Sequence, residues 1–148
     1  MEVDRNGLEV LARAECLSLL AGATLGRVAV TSGSLPVVLP VNFCLDGDQI
    51  VILTAEGSKL DAAAVNAVVA FEVDDFDSMY QSGWSVMVTG VAREVTDPAE
   101  LARMHRVRVA RWAPHGEGRY VTIATDRISG RRLAHGAPTG GTRANQRG

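Results

Sequence analysis

Apolar and polar positions alternate along most of this chain in short runs, and the period changes at only a few points. Between Gly7 and Leu20, Leu8, Leu11, Ala14, Cys16, Leu17, Leu19 and Leu20 recur at roughly helical spacing, with Arg13, Glu15 and Ser18 elsewhere, which predicts an amphipathic helix. Gly26 to Thr31 is β-branched and reads as a strand. Pro36 to Leu45 reads as a second, with Pro40 inside it; a proline there predicts an edge or a bulge. Asp46-Gly47 is a hairpin signal before a third strand, Gln49 to Thr54. Ser58 to Ala67 is alanine-rich and predicts a helix. Val69, Phe71 and Val73 alternate with Ala70, Glu72 and Asp74, a half-buried strand, and Asp74 to Gly83 reads as an acidic loop. Trp84 to Glu94 is a long strand. Asp97-Pro98 opens a helix running to about Ala110, with aspartate as cap and proline in the first turn. Trp112 to Gly118 is a loop, and Arg119 to Thr125 and Ile128 to Leu133 are the last strands.

Six or seven strands joined by tight turns, with helices at three points, predict a mostly β protein, an antiparallel β-barrel with peripheral helices rather than a βαβ sheet. Residues 1–134 make one domain. Residues 135–148, rich in Gly, Pro, Thr, Asn and Arg, read as a disordered tail.

Composition narrows the function more than the fold. A chain of 148 residues with 47% hydrophobic and 22% charged residues is an ordinary globular sequence, large enough for a core but small for one subunit to enclose an active site. The net charge of -2 gives no reason to seek nucleic acid or an anionic membrane, and the apolar runs are too short to span a bilayer. The N-terminus is acidic and is not expected to be a signal peptide. Cys16 and Cys44 fit no metal or redox spacing and predict reduced thiols in a cytoplasmic protein. His105, His115 and His135 lie apart, and the acidic Glu72 to Asp77 stretch lacks a calcium loop's glycine and terminal glutamate, so no metal is expected. There is no Gly-x-Ser-x-Gly elbow and no Gly-x-Gly-x-x-Gly fingerprint. Arg103, Arg106, Arg108 and Arg111 predict a solvated or salt-bridged helix face.

The most informative residue is Lys59, the single lysine, every other basic residue being arginine. It follows Leu53-Thr54-Ala55-Glu56-Gly57-Ser58 and precedes Leu60, at a strand end before a helix. A cation, two hydroxyls and free backbone N–H groups there make a small anion site, suited to a mononucleotide phosphate. A helix cap beside a surface lysine is the plain alternative.

Gly26-Arg27-Val28-Ala29, Pro40-Val41-Asn42-Phe43, Asp46-Gly47, Thr54 to Leu60, Val69 to Asp74, Gly83-Trp84-Ser85-Val86, Trp112-Ala113-Pro114 and Ile128 to Arg132 follow one another in an order that resembles a known family. It is the flavin-binding split β-barrel family typified by pyridoxamine 5′-phosphate oxidase, and the chain looks most like its short, nitroimidazole-resistance-like members. The resemblance implies a homodimer with FMN held in grooves between two subunits. It implies that Thr54, Ser58 and Lys59, flanked by Leu53 and Leu60, take the phosphate, and that Pro40, Val41 and Asn42 line the ring. Trp84 and Ser85 would add to the groove, and the partner would supply Trp112 and Arg131. The implied activity is flavin-dependent redox chemistry on a small molecule. A deazaflavin-dependent reductase and a non-catalytic flavin or haem binder are the alternatives. The oxidase proper ends in an Arg-x-His element, whereas this chain reads Gly130-Arg131-Arg132-Leu133-Ala134-His135, so pyridoxamine phosphate is not the expected substrate.

Overall fold

The computed structural model describes residues 1–107 and 118–133. The expected tail from residue 135 and the loop carrying Trp112 lie outside the described residues. Eight strands and three helices follow in the order β1 (Glu9–Val10), α1 (Arg13–Ala21), β2 (Leu25–Ser32), β3 (Leu35–Asp46), β4 (Gln49–Ala55), α2 (Lys59–Ala64), β5 (Val68–Asp77), β6 (Ser82–Glu94), α3 (Pro98–Met104), β7 (Gly118–Ile123) and β8 (Ile128–Leu133). All pairings are antiparallel, in the order β1-β8-β6-β5-β2-β3-β4-β7, and a further β6–β7 pairing closes β2 to β7 into a barrel.

Closure depends on β6. Its first half, Gly83 to Val88, pairs with β8, and its last residues, Ala92 to Glu94, pair with β7. One edge thus serves two neighbours while the other pairs with β5 from Ser82 to Val91.

The period-2 pattern places the core. Val28, Val30, Val41, Phe43, Ile50, Ile52, Phe71, Val73, Val86, Val88 and Ile123 all point into the barrel and are buried. Phe43 and Phe71 meet edge to face, ring centroids 4.9 Å apart, at its centre. Leu20 and Cys16 of α1 and Ala64 of α2 join the same core. On the outside of β4 and β7, Met104 of α3 covers Val51, Val95 and Tyr120. Arg103 on that helix pairs with Asp46 at 3.1 Å, an instance of the salt-bridged face expected there.

Several boundaries differ from expectation, and the third helix stops at Met104, capped by His105, instead of running to about Ala110. The first helix begins at Arg13, because Glu9 and Val10 pair with Arg132 and Arg131 and form a short edge strand instead. The second helix stops at Ala64, since Asn66 adopts positive φ and its N–H bonds to Ala92 O. The acidic loop is mostly strand: the ladder continues through Asp75↔Trp84, Phe76↔Gly83 and Asp77↔Ser82, leaving a turn only at its tip. Asp97 caps α3 as predicted, its carboxylate accepting from Glu100 N at 3.1 Å.

Gly26 marks one of the tightest contacts in the barrel. A Cβ there would lie 2.5 Å from the ring of the fully buried Phe71, which has no room to retreat. Gly26→Ala is expected to cost about 1–3 kcal/mol, the usual penalty of overpacking. Urea unfolding checks this, and an unchanged midpoint would mean the ring is not held there.

Candidate functional site

The site is set by a fork. β3 pairs with β2 from Leu35 to Asn42, but with β4 only from Phe43 to Asp46. Beyond Ile52, β4 continues alongside β7, through Leu53↔Tyr120, Thr54↔Arg119 and Ala55↔Gly118. The segment Leu35–Asn42 therefore has one edge paired and its other edge in no ladder among the described residues. Pro40, which lacks an N–H to donate, sits on that segment.

At the mouth of the fork, Thr54 to Asp61 fold into a compact lock. Asp61 is buried, and its carboxylate accepts from Thr54 Oγ1 at 2.9 Å and from Gly57 N at 3.0 Å. Its own N–H donates to Ser58 Oγ at 3.1 Å, which caps α2. Arg119 on β7 completes the lock: Nε lies 3.3 Å from Asp61 Oδ1, and the guanidinium also reaches Glu94 at 3.1 Å and Glu56 at 3.7 Å. Glu94 first, then Asp61, holds the guanidinium pKa above its ordinary value.

This arrangement sorts the residues expected to grip a phosphate. The Thr54 hydroxyl is buried and donates to Asp61, so its proton faces inward. Ser58 Oγ accepts from the helix and keeps its own proton to donate outward. Lys59 is exposed and has no ion-pair partner among the described residues. Leu53 and Leu60 are half-buried, Leu60 against the barrel core and Leu53 against the α3 cluster.

Strand alternation sorts the rest. Pro40 and Asn42 lie on the outer face of the barrel, and Val41 points into the core. Pro40, Arg27, Glu72, Met87 and Ser129 form one cross-strand row on that outer face. Ser85 and Arg131 are paired partners one step further along β6 and β8 and line a shallow cleft with Leu8, Asp74 and Phe76. Arg131 donates to Asp4 at 3.0 Å, while its neighbour Arg132 points the other way, to Glu15 at 3.1 Å. The Leu8 N–H, then the Asn6 N–H and Arg131, hold the Asp4 carboxyl below its ordinary value. Trp84 packs its body against the core, and its edge lines a cleft with Asp75, Asp77 and Arg132. Neighbouring strands lie about 4.8 Å apart, so the three steps from Pro40 to Met87 span roughly 14 Å. Ser85 and Arg131 are thus remote from the fork within one copy.

Two features escaped the sequence reading. Asp61 was signalled by Ser58-Lys59-Leu60-Asp61, a capping-box spacing, although its carboxylate bonds one residue earlier than that motif predicts. The other is the cluster of Arg27, Glu72 and Asp74. Arg27 lies 2.8 Å from Asp74 and 3.4 Å from Glu72, and partial burial, reinforced by Asp74, pushes the Glu72 carboxyl up to about 7. Only strand pairing brings Arg27 beside them, and no local motif reports that.

A closed antiparallel barrel with such a fork defines the split β-barrel class. The family model described as pyridoxamine 5′-phosphate oxidase matches residues 12–132, and the chain belongs to that family. Among solved structures, an FAD-binding protein from Mycobacterium smegmatis superposes with a TM-score of 0.77 at 38% identity, over 84% of this chain and 98% of that one. A putative pyridoxamine 5′-phosphate oxidase from Corynebacterium glutamicum gives 0.74 at 34% identity, over 85% and 98%. The uncharacterized Mycobacterium tuberculosis protein Rv0080 is 35% identical over 128 residues, covering 83% of this chain and 84% of that protein. Among the described residues, no helix is long and apolar enough to cross a membrane.

Removing the Asp61 carboxylate would leave the Thr54 hydroxyl, the Gly57 N–H and Arg119 short of their partner. Asp61→Ala is therefore expected to lower stability by about 1.5–3 kcal/mol, in the range for hydrogen bonds to a charged group. Chemical denaturation measures it, and a variant as stable as the native chain would show the lock to be incidental.

Proposed function

We propose that this chain binds a flavin nucleotide, FMN in the first instance, at the β3–β4 fork and uses it for redox chemistry on a small molecule, with two copies sharing each groove. The observation that carries the reading is an exposed ammonium, Lys59, in no ion pair among the described residues, next to the Ser58 hydroxyl at the mouth of a strand edge that is in no ladder among those residues. That donor set suits a phosphate monoester, because an ammonium and a hydroxyl both donate to its oxygens. The unpaired edge of Leu35–Asn42 carries backbone donors and acceptors for a planar heteroaromatic ring, and Pro40 and Asn42 present their side chains beside it.

The similarity to an FAD-binding protein supports a flavin and keeps FAD in view, since a dinucleotide also brings phosphate to Ser58 and Lys59. A bound flavin supplies hydride or electron transfer. The chain's own residues position it: Lys59 and Ser58 hold the phosphate, Pro40 to Asn42 fix the ring, and Thr54 acts at one remove by holding Asp61. The deazaflavin alternative asks for spare arginines for a polyanionic tail, and Arg119 and Arg131 are already paired with carboxylates.

The spacing on the outer face supports a shared groove. Pro40 and Arg131 lie at opposite ends of it, so one copy offers the fork and a second offers Ser85 and Arg131. Val38, Pro40, Met87 and Phe76 are exposed on that face, an apolar surface suited to covering. The cysteines, Cys16 buried and Cys44 half-buried, are unbridged, in keeping with a cytoplasmic protein.

Titration of FMN and of FAD by flavin fluorescence tests the assignment. Lys59→Ala loses a charge-assisted contact of about 1.5–3 kcal/mol and is expected to weaken binding roughly ten- to hundredfold. Equal affinity of the native chain and the variant would remove Lys59 from the site, and no binding by the native chain would overturn the flavin reading.

A further inference from the structure

The outer face of β2, β3, β5 and β6 mixes apolar side chains with neutral polar ones, Asn42, Ser85 and Thr89, and carries charge at one place. Val38, Ala29, Ala70 and Thr89 form one cross-strand row, and Pro40, Arg27, Glu72 and Met87 form the next. Val38 and Met87 are exposed at 62% and 48%, too much for side chains that serve only this copy's core. In the middle stand two carboxylates and one guanidinium. Arg27 reaches Asp74 at 2.8 Å and Glu72 at 3.4 Å, so with both acids ionised the cluster carries one negative charge.

We propose that two copies of this chain join through this face and that the joining takes up a proton on the Glu72–Asp74 pair of each copy. The inference rests on the shared-groove reading above and adds the chemistry that controls it.

The argument for a second copy as occupant comes from charge. A partner that neutralised the cluster by ion pairing would need a cation opposite it. A proton neutralises it from within, and a face without net charge no longer repels its own copy. Covering the face removes water from the carboxylates, which disfavours their ionised form. Like-charged clusters on two approaching copies disfavour it further. The groups facing the pair are Arg27 from β2 and Met87 and Ser85 from β6, and beyond Ser85 the Arg131 of β8, which shares a cleft with Asp74 and is itself paired with Asp4. No histidine stands on this face among the described residues; His105 packs against Tyr120 on the opposite side of the barrel, ring centroids 5.5 Å apart.

The sign follows from the carboxyl already raised to about 7 in the single copy, burial being the first cause and Asp74 the second. Covering raises it further, so the dimer binds more protons than two separate copies. Association therefore tightens as pH falls through neutrality and weakens above it.

Analytical ultracentrifugation of the full chain without added flavin, at about pH 6 and about pH 8, reads this directly; each proton taken up on dimerisation changes the dissociation constant about tenfold per pH unit. The native chain is expected to dimerise at least about tenfold more tightly at the lower pH. Glu72→Gln and, separately, Asp74→Asn leave a cluster that is neutral at both pH values. Both are expected to dimerise at the tight value with the slope lost. A native dimer whose affinity is the same at both pH values, or variants that keep the native slope, would overturn the proton linkage and leave the shared groove standing. A chain that stays monomeric at every concentration and pH would overturn the shared groove and this inference together.

Discussion

The parting of β3 from β4 after Phe43 and Ile52 is the constraint from which the candidate site follows. A barrel in which every strand edge were paired would offer a flavin only side chains. Here β4 stays beside β7 along its length but parts from β3 beyond Ile52, and the Leu35–Asn42 edge of β3 lies outside any ladder among the described residues. An unpaired strand edge in a folded protein is costly unless something satisfies it. A planar ligand with donors and acceptors along its rim does so, and Pro40, needing no acceptor for its nitrogen, reduces what must be satisfied.

The segment at the mouth of the fork is held by charge. Asp61 draws in the Thr54 hydroxyl and the Gly57 N–H, and Arg119 ties Asp61 to Glu94 and Glu56 across β7 and β6. The inner donors are thereby used for structure, and the outward ones, Ser58 and Lys59, are left for a ligand. Three carboxylates around one arginine also make the immediate surroundings negative, which on the proposed reading favours a phosphate at the rim beside the exposed Lys59. The same logic runs on the outer face, where Arg27 serves two acids and the excess charge is relieved by a proton at Glu72.

Much of the fold was legible in the chain. The alternation of Val69, Phe71 and Val73, the Asp46-Gly47 turn and the Asp97-Pro98 cap each reported local geometry, and each is where expected. What local pattern missed depended on distant partners: Glu9–Val10 became a strand only because β8 lies beside it, and the acidic loop became a ladder only because residues on both sides of its tip could pair. The site divides along the same line. Lys59 stood out by composition and Pro40 by its breaking character, but the inward turn of Thr54 required Asp61 and Arg119, the latter 65 residues away in sequence from Thr54, to which its carbonyl also bonds. Val41 and Asn42 were named together, yet pleating sends one to the core and the other to the face.

The account's central claim is that the phosphate of a bound flavin rests on the outward donors while the inner lock stays closed. A crystal of the full chain soaked with FMN tests it most directly. The phosphate is expected within hydrogen-bonding distance of Ser58 Oγ and Lys59 Nζ, with the ring along the free edge of β3 and Thr54 still bonded to Asp61. Flavin density elsewhere, or a phosphate that has taken the Thr54 hydroxyl from Asp61, would contradict it.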